Sequence, residues 1–323
     1  MKRLLIVSSN QQYVPYLNAL LNSIVKYKLQ ERAEFDVLVL TDGTLSAAYK
    51  ESAKKLGYNI RFKTIDTKAA GLEESWSGAW KCKAGRYYHM MQEGRNYDVC
   101  CLMDADLYIT NQEFVDFFDF VAGTNNIIGC NERIKWNISN IYTLNGKPVL
   151  DKEQRLFKFH CNVPLFLDTK KWEDVIKDYL TIVYRGKEMR EGEEKIIGDL
   201  YSWNMAVYRQ GREKDVFMLP MQSTTQVHRT GYRDKNCVLK KEGKEYWRTE
   251  DGDTVYCLHG RPDRAGFRSI ELKNEFEKHN IDKGLFNRYA SLAEREWLDV
   301  NFNYAIDLRT VWPKDEAWDK MGR

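Results

Sequence analysis

Apolar and polar positions alternate between two periods along this chain, and the switches between them outline an α/β fold. Leu4 to Val7 is a short apolar run that predicts a first strand, closed by the polar Ser8, Ser9 and Asn10. From Tyr13 to Tyr27 the apolar residues Val14, Leu17, Leu20, Leu21, Ile24 and Val25 follow helical spacing. Phe35 to Leu40 predicts a second strand, Leu45 to Leu56 a second helix stopped by Gly57, and Tyr58 to Ile65 a third strand. The first third of the chain therefore reads β-α-β-α-β, the opening of a Rossmann-like sheet.

Trp76 to Glu93 continues with a helix carrying Lys81, Lys83 and Arg86; each of these cations, taken singly, suits a solvated face. Phe114 to Val121 and Lys170 to Tyr184 read as further helices, and Asn126 to Cys130 and Phe159 to Leu167 as strands. Lys135 to Phe157 and Arg185 to Lys195 read as polar or charged loops. Ile196 to Tyr208 is an apolar, aromatic helix interrupted by Asp199 and Asn204, and Val255 to Gly260 is a late strand ending in His259. Beyond Ile270 the chain is charged and Trp-rich, as expected of outer helices. The pattern predicts an α/β architecture with a catalytic domain over 1–268 and a helical C-terminal extension over 269–323.

The run Val99-Cys100-Cys101-Leu102-Met103 carries the most chemistry. It does not alternate, so it suits a strand buried on both faces of a parallel sheet. It ends in Asp104-Ala105-Asp106. Side chains two apart on an extended chain leave on the same face, so the two carboxylates converge. A hard divalent cation relieves their repulsion and leaves room for phosphate oxygens; solvated loop aspartates are the plainer alternative. Ligands of open α/β sheets bind beyond the carboxyl ends of strands, which is where this pair lies. His259 also follows an apolar run, and two carboxylates with one imidazole suit Mn²⁺ or Mg²⁺. Neither a G-x-G-x-x-G nor a G-x-x-x-x-G-K-[ST] motif occurs, which disfavours dinucleotide dehydrogenases and P-loop enzymes.

Composition narrows the picture modestly. The 323 residues are 43% hydrophobic and 30% charged, an ordinary balance for a globular protein. The net charge of +3 gives no argument for a nucleic-acid partner. Seven cysteines without short regular spacing argue against a disulfide framework. Cys100 and Cys101 read as small buried hydrophobes in a reducing compartment, the cytoplasm of a bacterium or of a virus-infected host. The apolar run after Lys2-Arg3 is too short for a signal peptide, and no stretch approaches the ~18 apolar residues of a membrane span.

Taken in order, these blocks resemble GT-A glycosyltransferases, most closely the retaining, glycogenin-like enzymes of family 8. Ser8-Ser9-Asn10-Gln11-Gln12-Tyr13 resembles a Thr-Thr-Asn-x-x-Tyr block, and the resemblance implies that Ser8, Ser9, Asn10 and Tyr13 hold uridine. Asp104-Ala105-Asp106 resembles the Asp-x-Asp segment that binds manganese and the sugar-nucleotide diphosphate, with His259 as third metal ligand. Arg86 stands about where the family keeps a basic residue near the donor sugar. Phe159 to Trp172 resembles a Phe-Asn-Ser-Gly-Val…Lys-Lys-Trp block but has His160, Cys161 and Asn162 where Asn, Ser and Gly are usual. Asp199 and Asn204 match Asp-Gln-Asp-x-x-Asn, Tyr201 replacing its second Asp. The Lys of the His-x-x-Gly-x-x-Lys block is missing, and Arg264 or Arg261 would serve the diphosphate instead.

The resemblance implies a metal-dependent transfer from a UDP-sugar with retention, with Asp199, Asn162 and Arg86 at the reacting sugar. The acceptor stays open among saccharide, protein, lipid-linked glycan and modified DNA base. Basic clusters at Lys240-Lys241, Arg229-Arg233 and Arg261-Arg264-Arg268 would permit a polyanion. Two alternatives stand beside this reading. One is a sugar-nucleotide nucleotidyltransferase, disfavoured by the glycine-free Ser8 to Tyr13 turn; the other is a non-catalytic sugar-nucleotide binder.

Overall fold

A computed structural model describes residues 1–68, 70, 78–124, 126–132, 136–137, 142–150, 156–157, 160–219, 224–226, 239–242, 246–249, 254–259, 300–301 and 304–311. At some of these, among them Lys81, Lys83, Asn162 and His259, it describes the backbone alone. The N-terminal half runs β1 (Arg3–Ser9), α1 (Val14–Lys26), α2 (Leu29–Arg32), β2 (Asp36–Thr41), α3 (Ala47–Ala53), β3 (Ile60–Thr64), α4 (Gly78–Gly94), β4 (Val99–Asp104), β5 (Leu107–Ile109) and α5 (Asp116–Gly123). Then come β6 (Ile127–Glu132), β7 (Trp136–Asn137), β8 (Tyr142–Leu144), β9 (Lys147–Pro148), β10 (Leu156–Phe157), β11 (His160–Leu167), α6 (Glu173–Arg185), β12 (Gly186–Arg190), β13 (Glu193–Ile196) and α7 (Asp199–Arg209). The described chain continues with β14 (Val216–Leu219), β15 (Thr224–Gln226), β16 (Leu239–Glu242), β17 (Tyr246–Thr249), β18 (Thr254–Val255), β19 (Cys257–His259) and a short helix, Leu308–Val311.

Seven strands form the main sheet in the order β14-β6-β11-β4-β1-β2-β3. β3, β2, β1 and β4 run parallel, β11 is antiparallel to both its neighbours, and β14 runs parallel to β6. The mixed α/β sheet expected from the sequence is therefore present. Leu4 to Val7, Val37 to Leu40 and Val99 to Met103 are all buried, because parallel strands covered on both faces need continuous apolar runs. Cys100 and Cys101 are buried and unbridged, as small core residues. β11 slips register between Asn162 and Phe166; a bulge there accommodates Pro164, which has no N–H to give to a ladder.

Two expected loops are ordered otherwise. Arg185 to Lys195 contains the hairpin of β12 and β13, closed by Glu191 (φ 53°) and Gly192 (φ 83°). Two positive φ values make a turn whose twist matches that of the strands. In register, Glu188 stands opposite Lys195 and Arg190 opposite Glu193. The strands lack apolar alternation, so the charge run masked them. Within Lys135 to Phe157 the described residues include β8 and β9, joined by Asn145-Gly146 in the same positive-φ geometry. β8 pairs with β12, which extends the hairpin into a four-stranded sheet.

The expected domain boundary after residue 268 lies outside the described residues. The described C-terminal residues are tied to the first helix. Asn22 donates from Nδ2 to the carbonyls of Val300 (2.7 Å) and Ile306 (3.0 Å), and its Oδ1 accepts from the Ile306 N–H (3.0 Å). Asn18 donates to Asn301 Oδ1 (2.9 Å) and to the Ile306 carbonyl (3.1 Å). Both asparagines are fully buried, so these bonds replace water that neither side can otherwise reach. Replacing Asn22 by Ala leaves the Val300 carbonyl and the Ile306 N–H without their partner. We expect Asn22→Ala to lower the unfolding free energy by about 2–3 kcal/mol. Urea denaturation measures it, and a change below about 0.5 kcal/mol would show that this clasp carries no stability.

Candidate active site

The sheet order reverses at β1: the chain steps outward through β2 and β3, then returns to place β4 on β1's other side. Such a switch point opens a crevice at the carboxyl ends of the strands. Its walls are the turn after β1 and the turn after β4. Ser8 pairs in register with Asp104 across these strands. Ser9 is buried, pairs with Thr41, and turns its Oγ back to the Asn10 carbonyl (3.4 Å). Asn10 caps the 3₁₀ turn Gln11–Tyr13: its Oδ1 accepts from the Tyr13 N–H at 3.2 Å. This cap fixes where Tyr13, half-buried and with its ring tilted 54° to that of Tyr16 at 5.6 Å, leaves the crevice wall to start α1. The Gln11 N–H donates to Thr44 Oγ1 (3.0 Å) and Gln11 Oε1 accepts from the Ser46 N–H (3.0 Å), which stitches the turn after β1 to that after β2.

The opposite wall centres on Arg86 of α4. Its Nη1 donates to Asp104 Oδ1, and its Nη2 donates to Asp199 Oδ2 at 3.3 Å. The guanidinium is only 3% exposed, with Asp104 at 18% and Asp199 at 16%. Burial opposes the charge of Arg86, but Asp104, Tyr87 and Asp199 outweigh it and hold the group protonated, above an ordinary arginine. Asp199 opens α7 immediately after Gly198, where the exposed helix N–H groups favour a carboxylate. Beneath the ion triad lies an aromatic floor. Arg86 Cζ sits 5.5 Å from the Tyr87 ring centre; Tyr87 lies 4.0 Å from Tyr179 and 5.2 Å from Trp203. α4, α6 and α7 are thereby locked together under the two carboxylates.

Asp104 is the last residue of β4, Ala105 is buried in the turn, and Asp106 is half-buried just before β5. β5 pairs antiparallel with β19, and its register sets Leu107 opposite His259. The backbone therefore delivers His259 one residue across from Asp106, although 152 positions separate Leu107 from His259 in the chain (259 − 107). Among the described side chains no three His, Cys, Asp or Glu converge as a metal cage; the His259 side chain is outside that set. Asn162 lies near the start of β11, opposite Cys130, three residues before Leu165, which pairs with Leu102 of β4. It is thus at the Asp104 end of the sheet. Arg264 lies outside the described residues. Asn204 donates to the Leu200 carbonyl of its own helix at 2.9 Å.

The structure therefore joins Arg86, Asp104 and Asp199 by direct contact, and Ser8 and His259 by strand register. The expectation of a solvated face is wrong for Arg86: it lies on the buried side of α4 with Tyr87 and Met90. Its phase relative to Tyr87, Met90 and Met91 in the helix was the available signal. The floor of Tyr87, Tyr179 and Trp203 was missed because nothing local to each residue marks it.

The chain matches no family model. No curated protein is detectably similar in sequence. Solved structures do share its fold. The bifunctional glycosyltransferase WbbM superposes with a TM-score of 0.56 at 12% identity, over 95% of this chain and 50% of WbbM; this chain thus spans about half of that protein. An active-site mutant of LgtC superposes with a TM-score of 0.53 at 15% identity, over 99% of this chain and 100% of LgtC. LgtC, a galactosyltransferase, in complex with donor and acceptor sugar analogues gives 0.52 at 15% identity with the same coverage. The fold is therefore the GT-A fold of these glycosyltransferases.

One titratable group on α4 gives a pH dependence. His89, one turn beyond Arg86, is buried and accepts the Asp66 N–H at 3.2 Å on Nε2, which anchors the chain leaving β3. Burial, then Lys63, lower its pKa below 6.5, against smaller opposing effects of Glu93 and Asp66. As pH falls the unfolded chain takes up this proton first, so the stabilisation is complete above about pH 6.5 and is lost progressively below it. We expect the wild type to lose more stability than His89→Gln between about pH 7.5 and 5.5. Equal losses in the two proteins, measured by denaturant titration, would remove His89 from the acid response.

Proposed function

We propose that this protein is a metal-dependent glycosyltransferase that moves a sugar from a UDP-sugar to an acceptor hydroxyl with retention of anomeric configuration. The observation that carries the reading is the convergence of Asp104, Arg86 and Asp199 at the switch point of a GT-A sheet. LgtC, whose fold the chain shares, was solved with donor and acceptor sugar analogues, which supports sugar chemistry in this crevice.

The residues present fit a divalent cation. Asp104 and Asp199 set two carboxylates against the single guanidinium of Arg86, Asp106 follows Asp104 by two residues, and the register sets His259 opposite Leu107. Asp104, Asp106 and His259 would hold the ion; when bound, it neutralises the diphosphate and stabilises the leaving UDP. The chain's own residues do the rest. The Asn10-capped turn presents Tyr13 as a stacking platform for uracil. Arg86 and Asp199 face the donor sugar from the other wall, and Asp199 steadies the positive charge that grows as the glycosidic bond breaks. Asn162, at the same end of the sheet, completes the sugar subsite. Arg264 supports the diphosphate.

The direct test is release of UDP from UDP-sugars with and without Mn²⁺. Asp106→Asn removes a charged ligand and should lower turnover at least ~100-fold. Full turnover in excess EDTA would sink the metal requirement. At saturating Mn²⁺, Asp199→Asn should lower kcat by about 100-fold or more with donor affinity nearly constant, because its charge matters only in the transition state. A variant that melts a few degrees lower yet transfers sugar at the wild-type rate would reduce Asp199 to a helix-start carboxylate.

A further inference from the structure

We propose that Arg86 and the divalent cation compete for Asp104, and that Asp199 is the carboxylate to which Arg86 withdraws when the cation binds. The inference rests on the metal reading above and deepens it into a coupling between metal and nucleotide.

Arg86 holds two carboxylates on two different elements: Asp104 at the end of β4 through Nη1, and Asp199 at the start of α7 through Nη2. Asp104 is also one of the residues that would hold the cation. Binding there sets a second cationic group against a guanidinium that is only 3% exposed. Between shielded charges that repulsion is far stronger than in water. Arg86 has no easy retreat. Tyr87, Tyr179 and Trp203 form its floor, and its buried Nε makes no hydrogen bond among the described residues. Among the described residues, Asp199 is the one counter-charge, besides Asp104, in contact with it. The fork thus has two settings. In one Arg86 spans both carboxylates; in the other it rests on Asp199 and leaves Asp104 to the cation.

Two consequences follow from charge balance. The cation alone binds weakly, because it must displace an ion pair. A nucleoside diphosphate restores the balance by bringing its own negative charge beside Arg86, so cation and nucleotide favour each other, and reciprocally so.

The experiment is Mn²⁺ binding to the full chain, read by the electron paramagnetic resonance of free Mn²⁺, with and without UDP. Arg86→Met should bind Mn²⁺ at least ~10-fold tighter than wild type without UDP, and UDP should then tighten it less. Asp199→Asn should do the reverse, binding Mn²⁺ about 3-fold or more weakly, since Arg86 keeps only Asp104. Arg86→Lys, which retains the charge, should show no such gain. Thermal melting establishes that each variant is folded; if Arg86→Met is not, the sign of the Asp199→Asn effect decides. The exchange is overturned if Arg86→Met binds Mn²⁺ no tighter than wild type, or if Asp199→Asn binds it as well or better. Mn²⁺ binding that is lost in Asp106→Asn but unaffected by Arg86→Met rejects the exchange alone. A wild type that binds no Mn²⁺ even with UDP rejects the metal reading and the exchange together.

Discussion

A buried guanidinium between two carboxylates is the constraint on which this molecule turns. Arg86 cannot be charged and nine-tenths buried without partners, and its partners come from the end of β4 and the start of α7. Removing both would leave a charge that the interior cannot solvate, a loss of about 3–5 kcal/mol in comparable buried pairs. The position of α7 against α4 is therefore an electrostatic requirement as much as a packing one. The aromatic floor of Tyr87, Tyr179 and Trp203 satisfies the packing side, filling the space between the three helices with rings that hold few rotamers. Fold and site are the same object here: the contacts that close the helical layer under the sheet also aim two carboxylates into the crevice.

Much of the frame was legible in the chain because parallel strands must be apolar throughout. Leu4 to Val7 and Val99 to Met103 read as buried strands and are buried strands. The aspartates were legible for the same reason, since polar residues after such a run mark the carboxyl end of a sheet. What was not legible has a common physical cause. β12 and β13 are held by their backbone ladder and a two-residue turn rather than marked by apolar alternation, and a pattern of hydrophobicity cannot see either. Charge alone groups Arg86 with Lys81 and Lys83, while its helical phase puts it with Tyr87 and Met90; only the family resemblance sets it near the site. The pairing of Arg86 with Asp199 joins residues 113 apart, and no local signal encodes a contact of that range.

The crevice is also held from behind, by polar groups that a reading for apolar faces passes over. Ser23 of α1 is fully buried; its Oγ donates to the Leu20 carbonyl (2.6 Å) and accepts the Ile109 N–H (3.2 Å) at the end of β5. Thr110, the next residue, donates from N to the Tyr256 carbonyl (2.9 Å) and from Oγ1 to the Val255 carbonyl (2.6 Å), which secures β18 and β19. The same α1 face grips the C-terminal residues through Asn18 and Asn22. One helix thus fixes two separate stretches of chain directly, and β18 and β19 are fixed in turn through Thr110. Of these strands, β5 and β19 carry Asp106 and His259 at their edges.

That arrangement is what the proposed exchange at Asp104 would require. A site whose ligands were all on one loop would have to move the loop to exchange an ion pair for another partner. Here β4, β5 and β19 are pinned by buried backbone bonds, so the strands need not shift when the charge pattern changes. The adjustable part is a side chain, the guanidinium of Arg86, and it has a carboxylate on either side. Under the proposed exchange, a rigid frame with one adjustable side chain would confine reorganisation to a few atoms, which is the condition under which preorganised electrostatics lower a barrier most.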